Sequence, residues 1–177
     1  MIKKKVSSET RTAYVGIGSN LGSKADNCLR AIDRVDKMEG SRVRARSTLF
    51  RTEPVGVEGQ DWYVNCVIRV DAELSAEKML RGLNSIEGQM GRVRRGRWDS
   101  RIIDLDILLY GQQVIDEKGL IIPHKLMHLR RFVLAPMIEL APELIHPVLG
   151  KTMVELIKGL SERGQSVMPF GDGICGS

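Results

Sequence analysis

Two aspartates in one aliphatic run are the residues of this sequence best suited to chemistry. Asp104 and Asp106 lie in the stretch 101–110, RIIDLDILLY, whose isoleucines, leucines and tyrosine predict a buried strand. Because side chains alternate between the faces of a strand, both carboxylates point the same way, with Cβ atoms roughly 6–7 Å apart. Such a pair can bind one divalent cation, or two at about 3.5–4 Å spacing. The alternative is an edge strand whose acids face water or pair with arginines.

A run of arginines comes directly before this strand. The segment 91–101 contains five of them and one tryptophan: Arg92, Arg94, Arg95, Arg97, Arg101 and Trp98. Its two glycines and its lack of apolar periodicity predict a mobile loop. Cations beside metal-binding acids suit a polyphosphate, since Mg²⁺ binds phosphate oxygens while guanidinium groups neutralise the remaining charge. Taken alone, the arginine run fits a solvated surface or a nucleic-acid patch equally well.

Length and composition predict one domain that binds an anion. The chain has 177 residues and a net charge of +5, and we expect a single domain over 13–163 with flexible termini at 1–12 and 164–177. No apolar run approaches the ~20 residues of a membrane helix, so a cytoplasmic protein is expected. The cysteines Cys28, Cys66 and Cys175 lack metal or redox spacing, which indicates reduced thiols. Since the arginines cluster near the acids, a small anionic ligand is favoured over a long polymer.

Periodicity predicts the element order β-α-β-β-α-β. The predicted strands cover 13–18, 43–51, 62–70 and 101–110, with helices at 24–38 and 75–90. This order matches an α+β, ferredoxin-like arrangement with helices on one face of an antiparallel sheet and the other face free for a site. A further helix at 153–160 adds a C-terminal helical extension. The glycines at 16, 18 and 22 fit neither the dinucleotide fingerprint nor a P-loop, so both motifs are rejected.

The third predicted strand carries polar groups suited to a flat ring. Tyr63 and Asn65 share one face of the strand 62–70, where an aromatic ring could stack on a heterocycle and an amide could bond its edge. The loop 52–59 contains Pro54 and two glycines, and its unpaired backbone groups could also bind such a ring. The more common role of Tyr63 is packing, and that of Asn65 is a polar position near a turn.

Taken together, these motifs resemble the 6-hydroxymethyl-7,8-dihydropterin pyrophosphokinase family. The stretch 97–107, RWDSRIIDLDI, is similar to the family pattern R-W-x-x-R-x-x-D-L-D-I. Supporting segments follow in order between Tyr14 and Leu160, namely GSNLG at 18–22, TEPVG at 52–56, YVN at 63–65, GRVR at 91–94, PH at 123–124 and RRFVL at 130–134. The resemblance implies a ferredoxin-like enzyme of folate biosynthesis. It implies that a diphosphoryl group passes from ATP to the hydroxymethyl oxygen of the pterin, AMP leaves, and two Mg²⁺ ions take part.

The resemblance also implies roles for particular residues. Asp104 and Asp106 would hold both ions, and Arg92, Arg94 and Arg101 would join them in catalysis. The pterin would be bound by backbone groups near two loop residues and by four side chains, in order Thr52, Val55, Tyr63, Asn65, Trp98 and Phe132. ATP would be bound by Glu87, Arg92, Arg97, Arg101, Ile107, His124 and Arg130. Asn84 and Lys125 differ from the family's usual residues, and this bears on adenosine contacts and loop closure.

Two other classes of protein share parts of this pattern. A palm-like enzyme acting on nucleic acid also uses a ferredoxin-like sheet with acid-bound metals, but the chain is short for such an enzyme and carries Tyr63, Asn65 and Phe132. An RNA-binding module of the same fold would present exposed aromatics on its central strands, where aspartates would repel phosphate. We therefore expect a monomer that binds ATP and the pterin, without nucleic acid or membrane. The sequence identifies no general base.

Overall fold

The computed structural model of the chain describes residues 10–55, 59, 61–91, 102–161, 163 and 165–171. In chain order its elements are β1 (Arg11–Ser19), α1 (Lys24–Asp36), β2 (Ser41–Arg46), β3 (Phe50–Thr52), β4 (Tyr63–Ala72), α2 (Ala76–Gln89), β5 (Asp104–Tyr110), β6 (Ile115–Glu117), β7 (Leu120–Ile122), α3 (Arg131–Leu140), α4 (Met153–Lys158) and β8 (Val167–Pro169), with a 3₁₀ turn at Met127–Leu129. Across these ranges no helix has the length and apolar character needed to cross a bilayer.

The strands form one antiparallel sheet and one small hairpin. The sheet order is β5-β1-β4-β3-β8, β2 also pairs with β4, and β6 pairs with β7 separately. Each crossover through α1 or α2 joins two parallel strands with one antiparallel strand between them, which is the split βαβ geometry. The predicted α+β class is therefore confirmed, and β1 lies between β4 and β5.

The strand predicted at 43–51 is in fact two strands, β2 and β3. Between them, the backbone of Ser47 donates to the Val67 carbonyl, and the Ser47 hydroxyl accepts from the Val67 amide at 3.0 Å. The next amide, of Thr48, donates to the Glu139 carboxylate on α3 at 2.7 Å. A serine side chain thus replaces a carbonyl in the ladder, and the chain leaves the sheet there. Alternating β-formers could not reveal this interruption, because Ser47 and Thr48 fit the strand pattern.

Helices cover both faces of the sheet, so the prediction of one free face is only partly correct. On the first face, α1 and α2 pack over the apolar side chains of β1, β4 and β5, including Val15, Ile17 and Ile68. On the second face, α3 and α4 pack over Tyr14 and Val67. This second cluster covers one end of the second face only. The other end carries the candidate site.

Helix α3 was not predicted, because Pro136 lies inside it. An interior proline removes one helical hydrogen bond and disfavours a helix by about 3 kcal/mol. Here Val133, Leu134 and Met137 are buried against the second face of the sheet. This tertiary packing offsets the local penalty, which a propensity argument does not see. The C-terminal helix predicted at 153–160 is α4, and it is shorter than predicted.

Both predicted flexible termini contribute strands. Arg11 and Thr12 pair with Ala72 and Asp71 as the start of β1, so the strand begins before residue 13. Within the tail, β8 pairs with β3, and the amide of Phe170 donates to the Leu49 carbonyl at 2.7 Å. The tail covers hydrogen-bonding groups that β3 would otherwise leave open at the edge of the sheet. The glycines of the tail predicted disorder, so the short segment 166–170, which favours a strand, was overlooked.

The two described thiols should be inert in the native protein. Cys28 and Cys66 are 0% and 1% exposed. Their mutual hydrogen bond and burial raise the pKa of the Cys66 thiol well above its usual value. Since only the thiolate reacts readily, a Cys175→Ser variant should show no reaction with Ellman's reagent at pH 8, and two thiols after denaturation in guanidinium. Fast labelling of the folded variant would contradict the burial of this pair.

Candidate active site

The register of three strands aligns the candidate residues in two rows. Asp104 on β5 lies opposite Gly18 on β1, and Gly18 lies opposite Asn65 on β4. Asp106 lies opposite Gly16 in the next row. Residues directly opposite each other in an antiparallel pair share a face, so both carboxylates and the Asn65 amide lie on the second face of the sheet. This is the shared orientation predicted for the two aspartates.

The carboxylates fit the ligand preference of magnesium. Mg²⁺ in proteins is usually bound by one or two carboxylates, with substrate phosphates and waters completing an octahedral shell. Asp104 and Asp106 are both half-buried, whereas Leu105 between them points into the core. Among the described residues, no group of three or more His, Cys, Asp or Glu side chains assembles. The aspartate pair therefore suits a metal that arrives with a phosphorylated substrate.

A second polar group lies across β1 from the acids. The Asn65 amide donates to the Thr52 hydroxyl on β3 at 2.6 Å, and both side chains are buried. Tyr63 lies opposite Thr52 and is half-buried. Val55 follows in the loop and is 41% exposed. The structure thus brings together three of the residues predicted to bind the pterin, and Val55 follows them in the loop after β3.

His124 lies beside the strand that carries the two aspartates. Its amide donates to the Leu108 carbonyl on β5 at 2.9 Å. The Leu126 amide donates to Nδ1 of the His124 ring at 3.2 Å. In a neutral ring the proton then lies on Nε2, which is left as the donor. Burial and the Arg130 charge lower the pKa of His124 to about 4, against an opposing effect of Asp104.

Arg130 and Phe132 lie at the start of α3, next to His124. The Arg130 guanidinium lies over the Phe132 ring, 5.5 Å from its centroid, in cation–π geometry. The neighbouring Arg131 points elsewhere. Its amide donates to the Gln165 side chain, and its guanidinium contacts the Leu160 carbonyl at 3.5 Å. Of the two consecutive arginines, Arg130 lies beside the candidate site, whereas Arg131 contacts the C-terminal segment.

Glu87 has a contact that sequence reasoning missed. It is 2% exposed, and its carboxylate accepts a hydrogen bond from the Leu105 amide at 2.7 Å. That amide lies between the two aspartates, on the outer edge of β5. The sequence did contain a signal for this contact, because Glu87 lies on the same helical stripe as the apolar Leu83 and Met90. A buried acid on such a stripe needs a hydrogen-bond partner. The expected nucleoside contact of Glu87 stays a prediction.

The other residues singled out in the sequence do not join this cluster in the described structure. The Ile107 side chain packs in the core on the first face, opposite the aspartates, so a nucleoside contact there would need its backbone. Asn84 and Lys125 are exposed. The remaining predicted site residues, Arg92, Arg94, Arg97, Trp98 and Arg101, lie outside the described residues.

The segment GSNLG at 18–22 forms a turn held by a helix. Ser19 and Asn20 are buried, and the Asn27 side chain on α1 donates to the Ser19 hydroxyl at 3.2 Å and to the Leu21 carbonyl at 2.9 Å. These contacts fix the end of β1 against α1. The segment therefore serves to anchor the strand that carries Gly18, and Asn27 is a supporting residue that the sequence did not single out.

Two carboxylates on one sheet face, with a histidine and an arginine beside them, could bind a metal together with a phosphorylated substrate. A family model described as 7,8-dihydro-6-hydroxymethylpterin-pyrophosphokinase (HPPK) matches residues 14–142. The chain belongs to this family and is an ATP-dependent diphosphotransferase. Family membership decides against the nucleic-acid enzyme and the RNA-binding module.

Individual relatives agree with the family match. The chain is 42% identical over 153 residues to the 2-amino-4-hydroxy-6-hydroxymethyldihydropteridine pyrophosphokinase of Methylorubrum extorquens, covering 86% of this chain and 95% of that protein. It is 38% identical over 151 residues to the enzyme of the same name from Haemophilus influenzae, covering 85% of this chain and 94% of that protein. The chain therefore spans nearly the whole length of both bacterial relatives.

A solved structure shares the fold at low sequence identity. The Plasmodium falciparum HPPK-DHPS structure with STZ-DHP superposes with a TM-score of 0.70 at 15% identity. The match covers 87% of this chain and 46% of the Plasmodium chain. At this identity the comparison concerns the fold alone. The present chain spans about half the length of that protein.

Substitution of Glu87 should separate its hydrogen bond from its charge. Glu87→Leu leaves the Leu105 amide buried without an acceptor, so we expect a loss of about 1–3 kcal/mol in the free energy of unfolding and a slower reaction. Glu87→Gln keeps an acceptor oxygen and should retain most of the stability and most of the reaction rate. Urea titration and initial rates measure the two effects. If Gln is as damaging as Leu, the negative charge matters more than this hydrogen bond.

The pKa of His124 should be well below the usual value for histidine, because the ring is buried near Arg130. Without ligand, its ring should titrate with a pKa of about 4 in a ¹⁵N NMR experiment. Because the folded pKa lies below the unfolded value near 6.5, the native state binds fewer protons between these values. The contribution of His124 to the free energy of unfolding is therefore fully present above about pH 6.5 and is lost as the pH falls through about 4. A non-hydrolysable ATP analogue with Mg²⁺ should raise the pKa, and an unchanged value would place the phosphates elsewhere.

Proposed function

We propose that this protein transfers the diphosphoryl group of ATP to the hydroxymethyl oxygen of 6-hydroxymethyl-7,8-dihydropterin, giving AMP and the pterin diphosphate for folate synthesis. The observation that carries this proposal is that the site, which runs across β5, β1 and β4 on the second face, has two chemically different ends. Asp104, Asp106 and His124 lie at one end, and Asn65 lies at the other, with Gly18 between them. A phosphorylated substrate suits the first end and a flat heterocycle suits the second.

The spacing of the two ends suits this pair of substrates. Asp104 and Asn65 lie on strands separated by β1, so their backbones are roughly 9–10 Å apart at normal strand spacing. A metal-bound phosphate over β5 and a ring next to β4 would then meet above β1. This geometry supports a direct transfer between two bound substrates, because the reacting atoms can be held close without a covalent enzyme intermediate.

Asp104 and Asp106 would hold two Mg²⁺ ions together with phosphate oxygens of ATP. Bound there, the ions would neutralise phosphate charge and polarise the reacting phosphorus. The carboxylates would keep the ions at the second face of the sheet. Glu87 would support them indirectly, since it fixes the backbone between the two ligands. The pair offers oxygen ligands only, in agreement with the preference of magnesium.

The remaining phosphate contacts would come from His124, Arg130 and the arginine segment. Neutral His124 would donate Nε2–H to a phosphate oxygen, while Arg130 would supply a full positive charge. Arg92, Arg94, Arg97 and Arg101 would complete the phosphate site, with Trp98 covering the bound substrates. Glu87 and the Ile107 backbone would be the contacts nearest the nucleoside. The four arginines and Trp98 lie outside the described residues, so their roles rest on the family resemblance.

The pterin would bind at the Asn65 end. The Asn65 amide and the backbone near Thr52 and Val55 would bond the edge of the ring. Tyr63 and Phe132 would stack on its faces, each contributing roughly 0.5–1.5 kcal/mol beyond the area they bury. Since the Arg130 guanidinium already lies over Phe132, arginine and pterin would share this aromatic ring. The phosphate and pterin sites are thereby adjacent at Arg130.

In the reaction, the hydroxymethyl oxygen would attack the β-phosphorus of ATP in line with the departing AMP. A bond forms between that oxygen and the β-phosphorus, and the bond from the β-phosphorus to the bridging oxygen breaks. The electron pair leaves with AMP, and the hydroxymethyl proton passes to solvent. Positioning and charge neutralisation supply the acceleration. The protein would act as a cytoplasmic monomer on two small-molecule substrates.

Removing either metal ligand should abolish turnover. Asp104→Asn and Asp106→Asn each remove one formal charge from the ligand pair, so the rate should fall at least ~10²-fold. The assay uses ATP, Mg²⁺ and the hydroxymethyl-dihydropterin, with AMP and ADP separated by chromatography. Asp116→Asn, on the exposed hairpin strand β6, is the matched control and should keep full activity. ADP as the product, or near-normal rates in both site variants, would refute the assignment.

A further inference from the structure

Gly18 lies unusually close to a side chain of the neighbouring strand. A Cβ atom built on Gly18 would come within 2.5 Å of Oδ1 of Asn65, a distance that side chains essentially never tolerate. Gly18 is not among the glycines with positive φ. Its backbone would therefore accept an ordinary L-residue, and the need for glycine here is one of space.

The Asn65 amide has little freedom to give way. Its nitrogen donates to the Thr52 hydroxyl at 2.6 Å, and Asn65 and Thr52 are 8% and 1% exposed. One end of the amide is therefore held over β3, and its oxygen extends over β1 to Gly18. To escape an added Cβ, the amide would have to rotate and lose its buried partner.

Gly16 provides a contrast on the same strand and the same face. A Cβ atom there would lie 3.4 Å from the Leu108 side chain, an ordinary contact. Gly16 lies opposite Asp106, one row away from the Asn65 row. The two glycines therefore have different neighbours. Gly16 faces the apolar side chain of Leu108, whereas Gly18 faces the polar side chain of Asn65.

We propose that Gly18 is a positioning residue for the pterin. Its missing side chain lets the Asn65 oxygen lie over β1, between β4 and the acidic strand, where it accepts a hydrogen bond from an N–H group of the heterocycle. This inference rests on the proposed function for the substrate, and it adds the residue that sets the direction of the amide. In this proposal Gly18 acts through the side chain of Asn65.

Steady-state kinetics on alanine variants test the proposal. Gly18→Ala should raise KM for the pterin roughly tenfold, the cost of one misdirected hydrogen bond, and change KM for ATP less than about twofold. Gly16→Ala should change both less than about twofold. If Gly18 had no steric role, Gly18→Ala would leave KM for the pterin unchanged and would stabilise the fold, since alanine generally favours folded structure over glycine. An unchanged KM for the pterin, or an equal rise for both substrates, would overturn the proposal.

A double-mutant cycle shows whether the effect passes through Asn65. In an Asn65→Ala background, Gly18→Ala should raise KM for the pterin less than about twofold, because the amide is absent. The same tenfold rise there would overturn the proposal. Should Gly18→Ala fail to fold, Thr52→Val releases the other end of the amide without crowding the backbone. It should raise KM for the pterin, and Thr52→Ser should restore it. Equal values for Val and Ser would also overturn the proposal.

The same measurements separate this inference from the proposed function. Wild-type protein that forms no AMP from ATP and the hydroxymethyl-dihydropterin would refute both. Wild-type protein that turns over the pterin, with a Gly18→Ala variant that binds it equally well, would refute the role of Gly18 alone.

Discussion

The pairing of β1 with both β4 and β5 is the constraint on which the site depends. Through it, Asp104, Gly18 and Asn65 form one row across three strands, although they are far apart in the sequence. A shift of one residue in the β1–β5 register would send both aspartates into the core and Leu105 to the surface. The cost of burying two carboxylates opposes that shift. The hydrophobic pattern and the chemistry of the site thus select the same register.

The two faces of the sheet divide stability from function. The first face is covered by α1 and α2 and holds most of the apolar core, including Ile17, Ile68 and Leu83. The second face is covered by α3 and α4 only at the end near Tyr14 and Val67. Arg130 and Phe132 lie at the start of α3, so the helix that completes the second core also places these two candidate side chains beside the site. The position of the site on this face follows from where α3 begins.

Much of this arrangement could be predicted from the sequence because strand and helix periods are local properties. The alternation in 101–110 placed Asp104 and Asp106 on one face, and Ser75 was a correct helix start, since its hydroxyl accepts from the Lys78 amide. Helix α3 could not be predicted, because tertiary packing overrides Pro136. The ladder break at Ser47 depends on a side chain replacing a main-chain partner, which leaves no periodic signal. The role of Glu87 depends on an edge amide of β5, a feature known only once the sheet order is known.

The short strand β8 has a consequence for how the protein is made. The amide of Glu53, next to Thr52, donates to the Ser166 carbonyl, and the Ser166 amide donates to the Glu53 carboxylate across 113 residues of sequence. A ribosome releases the chain from its N-terminus, so β1, β4 and β5 can pair well before residue 166 emerges. The segment next to Thr52 gains these partners only after residue 166 has emerged. The pairing that aligns Asp104 with Gly18 and Asn65 can therefore form while the segment beside Thr52 still lacks its C-terminal partner.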